Sequence, residues 1–84
     1  MPKVTFLSTN TRTGEQEVEG EIRLEGGKLV ASGTLAEHIA ARPLEVEDAG
    51  RFVLIDPAKE PERFLENLAR HYNGSYLRAT RVTE

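Results

Sequence analysis

The 84-residue chain has no cysteine and no tryptophan, one methionine, and only three phenylalanines and two tyrosines. Without thiols it can form neither a disulfide nor a thiolate metal site. The staples of small secreted domains are therefore excluded, and a cytoplasmic setting is expected. No apolar run approaches the roughly 20 residues that a membrane-spanning helix needs, so no membrane association is expected. The opening residues Met1-Pro2-Lys3-Val4-Thr5-Phe6 carry no apolar stretch of signal-peptide length. The only histidines, His38 and His71, fall on separate predicted helices, without a third ligand at metal-site spacing. Neither common glycine-rich phosphate loop is present. Ser75 lacks the strand–turn–helix setting that exposes a nucleophile. These absences predict no metal, no cofactor and no catalysis.

Excess charge of one sign is also slight. Fourteen acidic residues against eleven basic ones leave a net charge of −3, which argues against a general polyanion binder. At 38% hydrophobic residues the chain is too apolar for intrinsic disorder, and its length allows one domain, residues 1–84.

Residues 4–8, Val-Thr-Phe-Leu-Ser, are β-branched and aromatic and read as a strand. Asn10-Thr11-Arg12-Thr13-Gly14 reads as a hairpin loop. Residues 15–25 then alternate, with Val18, Ile22 and Leu24 on one side and glutamates with Arg23 on the other. Period-two alternation is the pattern of a strand with one buried and one wet face. Gly26-Gly27 suits a tight primed turn, and residues 28–32 return as the partner strand.

Thr34 and Glu37 have capping-box spacing and open a short helix that Pro43 ends. Residues 44–47 read as a brief strand and Asp48-Ala49-Gly50 as a turn. Residues 52–55, Phe-Val-Leu-Ile, are apolar on both faces, which predicts a strand buried near the middle of the sheet. Asp56 is the expected N-cap of the following helix, with Pro61 near its first turn. Phe64, Leu65, Leu68, Ala69 and Tyr72 form one apolar stripe on that helix. Asn73-Gly74 suits a left-handed cap, and residues 75–82 read as a final strand, placed parallel to residues 52–55 by a right-handed crossover. The expectation is an α+β fold: a mostly antiparallel sheet of four to six strands, with one long C-terminal helix packed on a face and one short helix.

Phe64-Leu65, Leu68, Tyr72 and Gly74-Ser75-Tyr76-Leu77-Arg78-Ala79 resemble the closing segment of a group of small bacterial proteins of uncharacterised function. The resemblance covers about a third of the chain. It implies a bacterial source and a shared fold, and it carries no activity.

Two polar segments are candidate sites. Glu15, Glu17, Glu19, Glu21 and Glu25 form an acidic stripe that would face a basic protein partner. The structural alternative is a solvated face whose charges block edge-to-edge aggregation. Arg70, Tyr76, Arg78 and Arg81 interleave cations with aromatic rings, a pattern that can hold single-stranded nucleic acid by phosphate pairing and base stacking. Ordinary surface arginines are the alternative, and with net negative charge nucleic acid is the lesser expectation. The leading functional expectation is a non-catalytic interaction module for a protein partner, with a homodimer also in view. A small enzyme or an accessory subunit ranks third.

Overall fold

The computed structural model describes residues 2–74 and 76–82. In chain order the elements are β1 (Lys3–Thr9), β2 (Gln16–Glu25), β3 (Lys28–Ser32), α1 (Thr34–Ala40), β4 (Leu44–Asp48), β5 (Arg51–Ile55), α2 (Pro61–His71) and β6 (Leu77–Val82). The fold is α+β, and every strand pairing among the described residues is antiparallel. Four strands form the main sheet in the order β3-β2-β1-β6, and β4 and β5 form a separate two-stranded ribbon.

The β2–β3 hairpin forms as its alternation and its Gly26-Gly27 turn predict. The β1–β2 pairing carries an interruption: Phe6 faces Gly20 and Leu7 faces Val18, so Glu19 is an extra residue without an opposite number. Such a bulge reverses the alternation on its far side. Ile22 stays in the core, but Val18 is carried onto the opposite face beside Leu7 and is 67% exposed. The single apolar side expected for Val18, Ile22 and Leu24 is thus split.

Gly20 is the cause. It has φ of 151°, and a Cβ there would lie 2.5 Å from the Ser32 carbonyl oxygen and 3.1 Å from Ala36 Cβ. Gly33 makes the reciprocal contact, with φ of 98° and a Cβ position 2.7 Å from the Glu19 carbonyl oxygen. Two backbones therefore touch where β2 passes the start of α1. Gly33 is also the N-cap residue of α1, and no side chain caps this helix. Thr34, expected to be the cap, is its first residue, because the glycine contact sets where the chain leaves β3.

The two helices cover the inner face of the main sheet, α1 over β2 and β3 and α2 over β6, β2 and β1. Val4 and Phe6 of β1, Ile22 of β2 and Ala79 of β6 are buried there. Phe64, Leu65 and Leu68 of α2 bury against them, and Ala36, Leu44 and Ile55 complete one continuous core. Truncating a ring such as Phe64 to alanine costs about 3–5 kcal/mol, much of the stability of about 5–10 kcal/mol usual for a chain of this size. Tyr72, at the end of the α2 stripe, packs edge-on to Phe6 with ring centroids 5.7 Å apart.

The second half departs from the sequence reading in three respects. Residues 52–55 are not a central strand: among the described residues β5 pairs only with β4, and Phe52 and Leu54 are exposed. β6 does not lie parallel to β5; it pairs antiparallel with β1, from Lys3 opposite Val82 to Ser8 opposite Leu77. Both helices are spent on the main sheet, so no layer remains to cover a second face of β5. The helix boundaries shift too. Glu60 is the N-cap of α2, with Pro61 at the first turn, while the Asp56 carboxylate accepts the Ala58 N–H at 2.8 Å in an Asx turn. Gly74 lies outside the left-handed region, and Asn73 instead bridges to Arg78. Ser75, expected at the start of the last strand, lies outside the described residues, as does Met1.

Gly20→Ala should destabilise the protein by about 3 kcal/mol, because the new methyl meets backbone rather than a movable side chain. Urea unfolding measures this, and a loss below about 0.5 kcal/mol, the scale of an ordinary surface substitution, would show that the contact is not required.

Candidate functional site

Residues directly opposite one another in the register share a face, so the bulge divides the acidic stripe. Glu21 and Glu25 stand on the outer face of the main sheet, in the rows that hold Thr5 and Lys28. There they are tied to cations: Glu21 lies 3.7 Å from Lys3 Nζ and 3.8 Å from Arg23 Nε, and Glu25 lies 3.9 Å from Arg23. Arg23 Nε is buried without a hydrogen bond, so this ladder is loosely made. Glu17 falls on the inner-face side, opposite Ser8. The bulged Glu19 accepts a 2.6 Å hydrogen bond from the Ser8 hydroxyl. Glu15 precedes β2, in the turn closed by Asn10. The five glutamates are therefore dispersed between the two faces and a loop.

The arginine–tyrosine set is divided as well. Arg78 lies opposite Leu7 on the outer face, and the Thr9 N–H donates to the Tyr76 carbonyl at 2.9 Å, extending the same register by one residue. Tyr76 and Arg78 are thereby neighbours on the outer face, next to Leu7 and Val18. Arg81 is opposite Val4, so it points to the other side, where it lines a recess with Glu62 and Glu66 of α2. Arg70 is exposed on α2.

The histidines, dispersed in sequence, come to one place. His38 from α1 and His71 from α2 line a recess of about 280 Å³ with Arg42 and Tyr72. Its basic side chains stand near the C-terminal ends of both helices, where the Arg42 cation complements the dipole of α1. Among the described residues, no group of three or more histidine, aspartate or glutamate side chains could hold a metal ion. A wider cleft of about 560 Å³ runs between the end of α1, the Gly27 turn and the loop after β5. Its charged groups are Lys28 and Asp56, and the Asp56 carboxylate is already engaged by the Ala58 N–H.

The surface that the sequence reading missed is the β4–β5 ribbon. Its turn residues Ala49 and Gly50 have φ of 52° and 81°, the paired positive values of a type I′ turn. Leu44 faces Ile55 and Val46 faces Val53 on the inward side. On the outward side Glu45 faces Leu54 and Glu47 faces Phe52. Phe52 is 74% and Leu54 64% exposed, so the ribbon presents an aromatic–aliphatic pair bordered by two carboxylates. β4 is the strand that packs on α2, which leaves β5 outermost. The signals were present in the Ala49-Gly50 turn and in the alternating acids of residues 44–48.

Among the described residues no helix is long and apolar enough to cross a membrane. Glu21→Gln should lower stability by about 0.5 kcal/mol in dilute buffer, as its ion pairs are long and partly exposed. That difference should vanish in molar salt, and a loss insensitive to salt in thermal unfolding would show a role other than charge pairing. Comparison of the chain with protein-family models, with curated proteins and with solved structures finds no match.

Proposed function

We propose that the chain is a non-catalytic interaction module that binds a protein partner through the outward face of the β4–β5 ribbon. The observation that carries this reading is the adjacent exposure of Phe52 and Leu54, two residues apart on one face of a short ribbon. Single exposed apolar residues are ordinary. An aromatic and a leucine side by side, with charge confined to the border, have the anatomy of an interface centre and its rim. Glu45 and Glu47 border the pair and Asp48 ends β4, so the fitting partner has an apolar groove edged by lysine or arginine. Charge of this kind speeds and orients the encounter, while the buried rings supply most of the affinity.

A second reading has its own observation. Tyr76 and Arg78 are neighbours on the uncovered outer face of the main sheet, the arrangement in which a base can stack while a phosphate is held. It would show as binding to mixed RNA or DNA oligonucleotides that weakens steeply with salt.

The test is affinity capture from host lysate, with and without nuclease, using the wild-type chain and the Phe52→Ser, Leu54→Ser double variant. The interaction-module reading expects one stoichiometric, nuclease-resistant protein whose affinity falls by about 30-fold or more in the double variant. The variant should melt within a few degrees of the wild type, because it alters exposed side chains. Equal capture by both proteins would remove the ribbon from the account, and recovery of nuclease-sensitive nucleic acid would favour the outer sheet face.

A further inference from the structure

The edge of β5 has a hydrogen-bonding pattern of its own. The two-residue turn closes on Asp48 and Arg51 as a hydrogen-bonded pair, so Val46–Val53 and Leu44–Ile55 follow in the same phase. Phe52 and Leu54 fall in the alternate phase, and their backbone N–H and C=O groups point away from β4. Among the described residues, no backbone hydrogen bond outside the strand ladders reaches these groups. Natural edge strands are normally guarded by inward charges, proline or a covering element. β4 has Glu45, Glu47 and Asp48 along its length and α2 against it. β5 reads Arg-Phe-Val-Leu-Ile, with one charge at its far end and neither proline nor acid.

We infer that the partner of this edge is a second copy of the chain, paired antiparallel through β5 about a two-fold axis at Val53. That register sets Phe52 opposite Leu54 of the other copy, so the outward groups of both residues exchange hydrogen bonds and no other phase is needed. It is self-complementary, as a two-fold interface must be. The four-stranded sheet so formed, β4-β5 of one copy continued by β5-β4 of the other, gathers both Phe52–Leu54 pairs into one central apolar cluster. Charge favours the same choice. The glutamates of the two β4 strands end on opposite borders, three strand spacings or about 14 Å apart. At each end of the paired strands, Arg51 of one copy meets the stretch of the other that runs into Asp56. Pairing through β4 would instead set Glu45 against Glu47 of the other copy. The dimer is independent of what the outward face binds, and it doubles the apolar platform offered there.

Sedimentation velocity of the isolated chain over micromolar to millimolar concentration tests the pairing. The expected result is a reversible species of twice the 9.4 kDa chain mass. Leu54→Pro removes one outward N–H and no bond to β4, and should weaken the dimer at least tenfold. Because that variant could also disturb the ribbon, Val53→Cys supplies a second measurement in a chain that has no cysteine of its own. The two Val53 Cα atoms would face each other across a non-hydrogen-bonded pair at about 4.5 Å, within disulfide range. Oxidation should give a covalent dimer of Val53→Cys and none of Glu47→Cys. A wild-type chain that stays monomeric throughout, or a Val53→Cys protein that does not cross-link ahead of Glu47→Cys, would overturn the inference. Dimerisation that is lost while capture of another protein persists would separate this pairing from the partner-binding reading.

Discussion

Gly20 and Gly33 let two stretches of backbone approach to a distance that no side chain would permit, and the arrangement of the domain follows from that contact. A Cβ on either residue would lie within 2.7 Å of a carbonyl oxygen of the opposite stretch. With both absent, β2 carries its extra residue at Glu19, turns its first half over and still passes close under α1. Ala36 then reaches the core against Gly20, and α1 lies across β2 and β3. With α1 over one half of the inner face and α2 over the other, that face of the main sheet is covered. β4 and β5 are left to pack at the margin through Leu44 and Ile55.

From that margin comes the surface on which the functional reading rests. The ribbon contributes one face to the core and turns the other outward, so Phe52 and Leu54 are exposed as a consequence of topology. A two-stranded ribbon has little stability of its own, and inward packing by its residues holds it in place. Its outward pair is thus displayed on a supported element, which favours docking with little ordering cost. The same displacement frees the outer edge of β5, so the exposed face and the unpaired edge share one cause.

Local features of the sequence were the legible ones. The Gly26-Gly27 hairpin, the apolar stripe of Phe64, Leu65 and Leu68, and the strand character of residues 4–8 rest on near-neighbour patterning. Contacts between residues distant in sequence are not written in such patterns. Residues 15–25 alternate well enough to read as one strand with one buried face, yet a single inserted residue reverses half of it. Glycine inside a strand is the mark of a bulge or a close backbone approach, and Gly20 was that mark. Residues 52–55 looked like a central strand because all four are apolar. Whether such a run is buried depends on how many layers remain to cover it, and two helices were too few. The glutamate stripe read from alternation dissolved with the bulge, and Arg81 parted from Arg78 because strand residues three apart face opposite ways.

β5 is an outer strand with one bonded and one open edge. Residue-resolved amide hydrogen exchange, at a concentration where sedimentation shows a monomer, tests it most directly. The expected result is alternation: slow exchange at Val53 and Ile55, whose N–H groups bond to β4, and fast exchange at Phe52 and Leu54. Uniformly slow exchange from Phe52 to Ile55 in the monomer would mean that a further strand or layer covers this edge, and would contradict the account.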